Sequence, residues 1–148
     1  MKNTKTLFLG IVLLTALTFI GCKKKGCTDA DATDYCSNCK SDAGSCQFEG
    51  KMVFWYGKTV ADSSVANGKS SYTYYIDGQL VGSSAASVYY TIAPNCGQSG
   101  TVSVTKPLGT VKSKSSAYVV KDDAGVQIWA GTINFTANTC VAQELAWQ

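Results

Sequence analysis

Cysteines constrain this chain more than any other residue type. Four of its seven cysteines fall within one short acidic run, "CTDADATDYCSNCKSDAGSC", at residues 27–46. A segment of this length buries too little apolar surface to fold alone, and small modules of this kind depend on covalent crosslinks or a bound metal. The pattern therefore requires either disulfides or a metal site near the N-terminus.

The residues before this run indicate the compartment. Lys2 and Lys5 precede an uncharged run of 14 residues, "LFLGIVLLTALTFI", from Leu7 to Ile20. That length is typical of the hydrophobic region of a secretory signal peptide and is too short to span a bilayer comfortably. We therefore predict a signal peptide at residues 1–21 and an exported protein.

The hydrophobic run ends in "FIGC", which resembles the lipobox of bacterial lipoproteins, where a small residue precedes an acylated cysteine. The resemblance implies cleavage after Gly21 and attachment of palmitate and other acyl chains to Cys22. Two or more chains anchor a protein stably, and the basic tether at residues 22–25 favours anionic headgroups. We expect a lipid-anchored protein of the cell envelope, at the outer membrane and on either leaflet.

Acylation of Cys22 leaves six cysteines in an oxidising compartment, an even number that favours three disulfides. An alternative for the first four is a zinc site, because "CSNC" has C-x-x-C spacing and thiolates are zinc ligands. The oxidising compartment favours disulfides over zinc. The pairs that we favour are Cys27–Cys46, Cys36–Cys39 and Cys96–Cys140.

Aspartates share the cysteine-rich run, and their short spacing suggests a cation site. Calcium prefers several oxygen ligands from a turning backbone, although no EF-hand frame is present here. The alternative is that these side chains form turns through hydrogen bonds to their own backbone and are solvated. Calcium is the one cofactor that the sequence suggests. Its candidate ligands are Asp29, Asp31, Asp34 and Asp42.

The same run resembles a motif of secreted and surface proteins of Gram-negative bacteria. That motif reads approximately Cys-Thr-Asp-x-x-Ala-x-Asn-Tyr, then a spacer, then Asp-Asp-Gly-Ser-Cys. Asp34 stands here in place of Asn and Ala43 in place of Asp, and Cys36 and Cys39 are additional. The resemblance implies a secreted or surface protein but no particular activity. The matching residues are Cys27, Thr28, Asp29, Ala32, Tyr35, Asp42, Gly44, Ser45 and Cys46.

After residue 50, strand-forming residues recur in short runs separated by turn signals. The pair Asp77-Gly78 is typical of a β-hairpin, and no stretch shows helical periodicity. We predict an all-β domain at residues 50–148, an antiparallel two-sheet β-sandwich of seven or eight strands. The sequence leaves open whether the module at 26–48 packs against it. The predicted strand runs are 51–57, 71–83, 86–93, 100–106, 109–120, 126–135 and 139–147.

Several segments of this domain resemble PEGA-like and transthyretin-like modules of bacterial envelope proteins. These segments are "YIDGQLVG", "PLGTVKS", and "WAGTINF" followed by "CVAQEL". The order of lipobox, cysteine motif and β-module resembles a group of small envelope lipoproteins. The resemblance implies the sandwich fold and an envelope location, and it names no ligand.

Composition argues against two broad classes of function. From Gly26 onward the chain has eight lysines against ten acidic residues, and it has no arginine. This balance disfavours nucleic-acid binding, which relies on basic patches and arginine. The chain also lacks histidine, a G-x-S-x-G motif and a phosphate-binding loop, so we expect no enzymatic activity and assign no catalytic residue.

Aromatic residues are the remaining candidates for binding. Neighbours such as Tyr74 and Tyr75 must point to opposite faces of a regular strand, so some tyrosines are expected at the surface. We take Tyr75, Tyr90 and Trp55 as candidates for contact with a glycan or an envelope protein. The alternative is cross-strand pairing that only stabilises the sheets. The sequence thus favours a non-catalytic binding, adhesion or assembly protein, with calcium or glycan binding as the alternative.

Overall fold

The computed structural model describes residues 24–147. The predicted signal peptide and the acylation of Cys22 lie outside these residues. Within this range no helix is long and apolar enough to cross a membrane. Strands account for 48% and helix for 7% of the structure, which confirms the prediction of an all-β fold.

The described chain forms nine strands and one helix. Two very short strands, β1 and β2, lie in the cysteine-rich module, and the other seven form the sandwich. In chain order the elements are β1 (Lys25–Gly26), β2 (Ser41–Asp42), β3 (Phe48–Trp55), α1 (Lys58–Ala66), β4 (Ser71–Ile76), β5 (Gln79–Ala85), β6 (Val102–Gly109), β7 (Ser113–Asp122), β8 (Gln127–Thr136) and β9 (Cys140–Glu144).

Seven strands form two sheets, as predicted. One sheet has the order β6-β3-β9 and the other the order β5-β4-β7-β8. Neighbouring strands are antiparallel except β3 and β9, which run parallel. Parallel pairing needs a long connection, and the rest of the domain supplies it. The predicted hairpin joins β4 to β5, with positive φ angles at both Asp77 and Gly78. Such angles suit a two-residue hairpin turn.

Aromatic rings fill the space between the sheets. The ring of Phe54 on β3 lies 5.0 Å from that of Tyr74 on β4 and 5.5 Å from that of Tyr118 on β7. Further along, the ring of Tyr56, directly after β3, meets that of Tyr72 on β4 edge to face at 5.9 Å. Because these contacts join residues of opposite sheets, the aromatic residues hold the two layers together.

One element, α1, was not expected from the sequence. It buries only Val60, Ala61 and Ser64, so its amphipathic pattern is weak. Ser64 explains its position: the Ser64 hydroxyl accepts a hydrogen bond from the buried hydroxyl of Tyr72 at 2.6 Å. The helix is therefore stabilised by tertiary contact more than by its own periodicity.

The predicted strand at 86–93 is wrong. Residues 86–101 form a loop on the outer face of the three-stranded sheet, where the amide of Tyr90 donates to the carbonyl of Tyr56 at 3.0 Å. The amide of Gly97 donates to the Ser103 hydroxyl of β6 at 2.9 Å. Because this loop covers the outer face of β3, Val53 is 0% exposed although it points away from the core between the sheets.

The cysteine-rich module packs against the sandwich. Cys27 and Ala32 are buried in the same apolar cluster as the sandwich residues. In addition, the ammonium group of Lys112, from the sandwich, forms ion pairs with Asp29 and Asp31 of the module. Module and sandwich therefore share one core, which settles the question that the sequence leaves open.

All three disulfides join the pairs that the cysteine arrangement favours. Cys27–Cys46 closes the module, and Cys36–Cys39 lies inside it. Cys96–Cys140 fastens the covering loop to the start of β9 across a sequence separation of 44. Since all six cysteines are bonded, their thiolates are not available for the zinc site considered above.

A buried ion pair ties the segment after α1 to the end of β7. The carboxylate of Asp122 has 0% of its side chain exposed, and it accepts hydrogen bonds from Lys69 and, at 2.8 Å, from the amide of Val126. These contacts, that of Lys69 foremost, lower the pKa of Asp122 below its usual 3.8. The ionised carboxylate is thus preferred in the folded state.

We expect loss of the Cys96–Cys140 crosslink to be the most costly of the disulfide removals. Replacing both cysteines with serine should lower the free energy of unfolding by about 4 kcal/mol, because this bond closes the longest loop. Removal of Cys36–Cys39, which closes a very short loop, should cost about 2 kcal/mol. Urea unfolding of the oxidised proteins measures both, and a larger loss for the short loop would contradict this ranking.

We also expect a stability loss in acid that depends on Asp122. Because its folded pKa lies below the unfolded value of 3.8, its contribution is present above that pH and is lost as the pH falls below it. Denaturation curves at stepwise lower pH should show this decline. The decline should be shallower in Asp122→Asn, and an unchanged slope in that variant would contradict the assignment.

Candidate functional site

The aspartates proposed as calcium ligands are engaged within the protein. Lys112 Nζ lies 2.7 Å from Asp29 Oδ2 and 3.0 Å from Asp31 Oδ2. This ammonium lowers the pKa of Asp29, helped by a hydrogen bond from the amide of Asp31. A lysine thus occupies the position at which a cation would bind these two carboxylates.

The other two aspartates accept hydrogen bonds from backbone amides, and Asp42 does so within a turn, as the alternative interpretation expects. Asp34 accepts a hydrogen bond from the amide of Gln47 at 2.8 Å, and Asp42 accepts one from the amide of Gly44 at 2.9 Å. Across residues 24–147, no group of three or more acidic, cysteine or histidine side chains is arranged to hold a metal. The structure therefore does not assemble the predicted calcium ligands, because each carboxylate is already hydrogen-bonded elsewhere.

Tyr75 lies on the outer face of the four-stranded sheet. There it belongs to an apolar row that runs across all four strands, from Leu80 through Tyr75 and Val119 to Ala130. Lys121 Nζ lies 5.4 Å above its ring. Tyr75 is half-buried, and it lines none of the four cavities found among residues 24–147.

Trp55 and Tyr90 lie on the opposite side of the molecule, where the covering loop meets β3. They border a cavity of only about 10 Å³, which is room for about one water molecule. The indole Nε1 of Trp55 is buried and has no hydrogen-bond partner within the described residues. The three predicted aromatics therefore form no common binding surface.

A larger opening lies between β8 and β9, each of which is the last strand of its sheet. We call it the edge groove. Its volume is about 620 Å³, and its walls come from residues 127–130 and 143–147, with Tyr118 of β7 as a third contributor. This volume is in the usual range of small-molecule sites, roughly 300–1,000 Å³.

Two stacked tryptophans form one wall of the edge groove. Trp129 is buried, and its Nε1 donates a hydrogen bond to the carbonyl of Ala146 at 2.9 Å. Trp147 packs on it with ring centroids 4.8 Å apart and planes inclined by 30°. Trp147 is nevertheless 43% exposed, so a supported aromatic surface faces the opening.

Tyr118 brings an unpaired hydroxyl to the edge groove. The side chain is only 9% exposed, and its ring covers Gly131 on the neighbouring strand. A Cβ atom on Gly131 would lie 2.7 Å from this ring, so glycine is needed there. The hydroxyl has no hydrogen-bond partner within residues 24–147, and burial alone raises the pKa of Tyr118.

Polar side chains complete the edge groove without a positive charge. Gln127, Gln143 and Glu144 line it, and no lysine does. The amide nitrogen of Gln143 donates to the backbone carbonyl of Glu144 at 2.8 Å, which fixes the orientation of that side chain. The site thus combines an aromatic surface with amide and carboxylate groups, an arrangement suited to an uncharged polar ligand.

Comparison of the chain with protein-family models, with curated proteins and with solved structures gives no match. Function must therefore be argued from the geometry described above. The edge groove is the site with the most suitable volume and chemistry.

We expect calcium to have no effect on the stability of this protein. A ligand that binds only the native state raises its stability by mass action, but Lys112 already neutralises Asp29 and Asp31. Thermal melts with millimolar calcium or with excess chelator should therefore coincide. A rise in Tm with calcium that disappears in Asp29→Ala would restore the metal site.

Proposed function

We propose that this chain is a lipid-anchored, non-catalytic binding protein of the cell envelope. Acylated Cys22 would hold it in the membrane, and the edge groove would bind a component of the envelope. The observation that carries the proposal is the supported, exposed surface of Trp147 inside an opening of about 620 Å³. Tryptophan is enriched at binding interfaces, where it often carries much of the binding energy.

The sequence features support the envelope location. "FIGC" resembles a lipobox, and three disulfides suit an oxidising compartment outside the cytoplasm. The cysteine-rich module lies close in sequence to the proposed anchor. Lys25, three residues after Cys22, pairs with Ser41 in a short parallel sheet. A tether of very few residues would therefore separate the acylated cysteine from the folded protein.

The direction of β3 relates this anchor to the edge groove. Phe48, at the beginning of β3, borders the same small cavity as Asp29 and Cys46 of the module. Trp55, at its end, pairs with Glu144, which lines the groove. Eight strand residues span roughly 25 Å, so the groove lies at the end of the sandwich remote from the anchor. That position would direct it away from the membrane.

Two variants test the two halves of the proposal. Cys22→Ser should shift the protein from the membrane fraction to the soluble fraction and abolish incorporation of labelled palmitate. Trp147→Ala should leave membrane attachment unchanged but prevent retention of an envelope component by the protein. A serine variant that stays in the membrane with its label would disprove anchoring through Cys22.

Retention is measured by pulling down the full chain, with its lipid, from detergent-solubilised native envelopes. Tyr89→Ala is the matched control, because Tyr89 is an aromatic of similar exposure, 41%, outside the groove. The wild type and the control should retain the same component, and Trp147→Ala should lose at least about nine-tenths of it. Equal retention by all three proteins would refute the role of the edge groove.

A further inference from the structure

The edge groove presents a flat aromatic surface that is rigid before any ligand arrives. Trp147 is stacked on Trp129, and the hydrogen bond from Trp129 to Ala146 fixes the segment that carries Trp147. Binding to such a surface loses little side-chain entropy. A sugar ring is complementary to it, since one face of a pyranose consists largely of C–H groups and its rim of hydroxyls.

We propose that the edge groove binds a neutral oligosaccharide, with one sugar ring stacked on Trp147. This proposal rests on the proposed function, and it specifies the chemical class of the ligand. The hydroxyl of Tyr118 points to a polar ligand, because it has no hydrogen-bond partner within residues 24–147 and remains open to solvent at the groove that Tyr118 lines. A sugar hydroxyl can take the place of the water that this group would otherwise bind.

The charges of the lining residues indicate that the sugar is neutral. Glu144 would repel a sulfated, phosphorylated or uronic-acid ligand, and no lysine lines the groove to compensate. A carboxylate can instead accept hydrogen bonds from sugar hydroxyls, and a side-chain amide can both donate to them and accept from them. Gln127 and Gln143 line the edge groove together with Glu144.

A peptide strand is the competing occupant, because β8 is an edge strand. Strand addition requires a free backbone edge and pockets for alternate side chains. At Trp129, however, the chain's own segment from Leu145 to Trp147 already packs against β8. The edge groove therefore suits a ring stacked on an aromatic residue better than an added strand.

The test is a glycan array that carries neutral and acidic oligosaccharides, probed with the oxidised full chain in a detergent without a sugar headgroup. The strongest neutral binder is then titrated while tryptophan fluorescence and heat are recorded. Trp147→Ala should weaken its affinity at least about tenfold, as loss of aromatic stacking does in other sites. Tyr118→Phe, which keeps the ring in the core, should weaken it about three- to tenfold. Tyr89→Ala should bind like the wild type.

Three outcomes would overturn the proposal: no neutral glycan binds, binding is unchanged in Trp147→Ala, or acidic glycans bind more tightly than neutral ones. If glycans fail but the native envelopes yield a protein whose retention depends on Trp147, the sugar assignment is wrong and the proposed function stands. If neither experiment depends on Trp147, both are wrong. Folding of each variant is checked by its thermal melt, so that a loss of affinity is not mistaken for unfolding.

Discussion

The structure depends on burying tyrosine hydroxyls between two sheets. A tyrosine ring supplies much of the apolar area of a small core, but its hydroxyl must have a hydrogen-bond partner once it is removed from water. Four tyrosines of this core point inward, and three of them have such partners within the protein. The fourth, Tyr118, has none within residues 24–147, and it lies at the edge groove, where its hydroxyl is open to solvent. The three pairs are Tyr56 with the carbonyl of Ala85, Tyr72 with Ser64, and Tyr74 with Ser84.

These hydrogen bonds explain why α1 and β5 pack where they do. The helix α1 packs where its Ser64 hydroxyl can accept a hydrogen bond from the hydroxyl of Tyr72 and donate one to the carbonyl of Val60 at 2.6 Å. On the other side, β5 places Ser84 within 2.9 Å of the Tyr74 hydroxyl. A weakly amphipathic helix and a Ser-rich edge strand thus complete the core by satisfying polar atoms rather than by adding apolar area.

The sequence predicts what depends on local pattern. The hairpin at Asp77-Gly78, the seven sandwich strands and the disulfide pairs follow from turn residues, alternation and cysteine spacing. The run at 86–93 has the alternation of a strand, but Cys96 and the contact of Tyr90 with Tyr56 hold it as a covering loop. The edge groove could not be predicted, because it exists only where the topology places the edges of β8 and β9 together.

The shared core of module and sandwich has a consequence for how the protein would act from a membrane. If the module moved freely on a linker, the distance from the anchor to the groove would vary with the linker. Here Cys27 is buried with the sandwich residues, and Lys112 holds Asp29 and Asp31 from the other side. The distance is instead set by the length of β3 and its neighbours. The disulfide Cys27–Cys46 closes the module next to Phe48, where β3 begins. The acidic, crosslinked run near the N-terminus is therefore best explained as a rigid connection that would fix the orientation of the sandwich relative to the proposed lipid anchor.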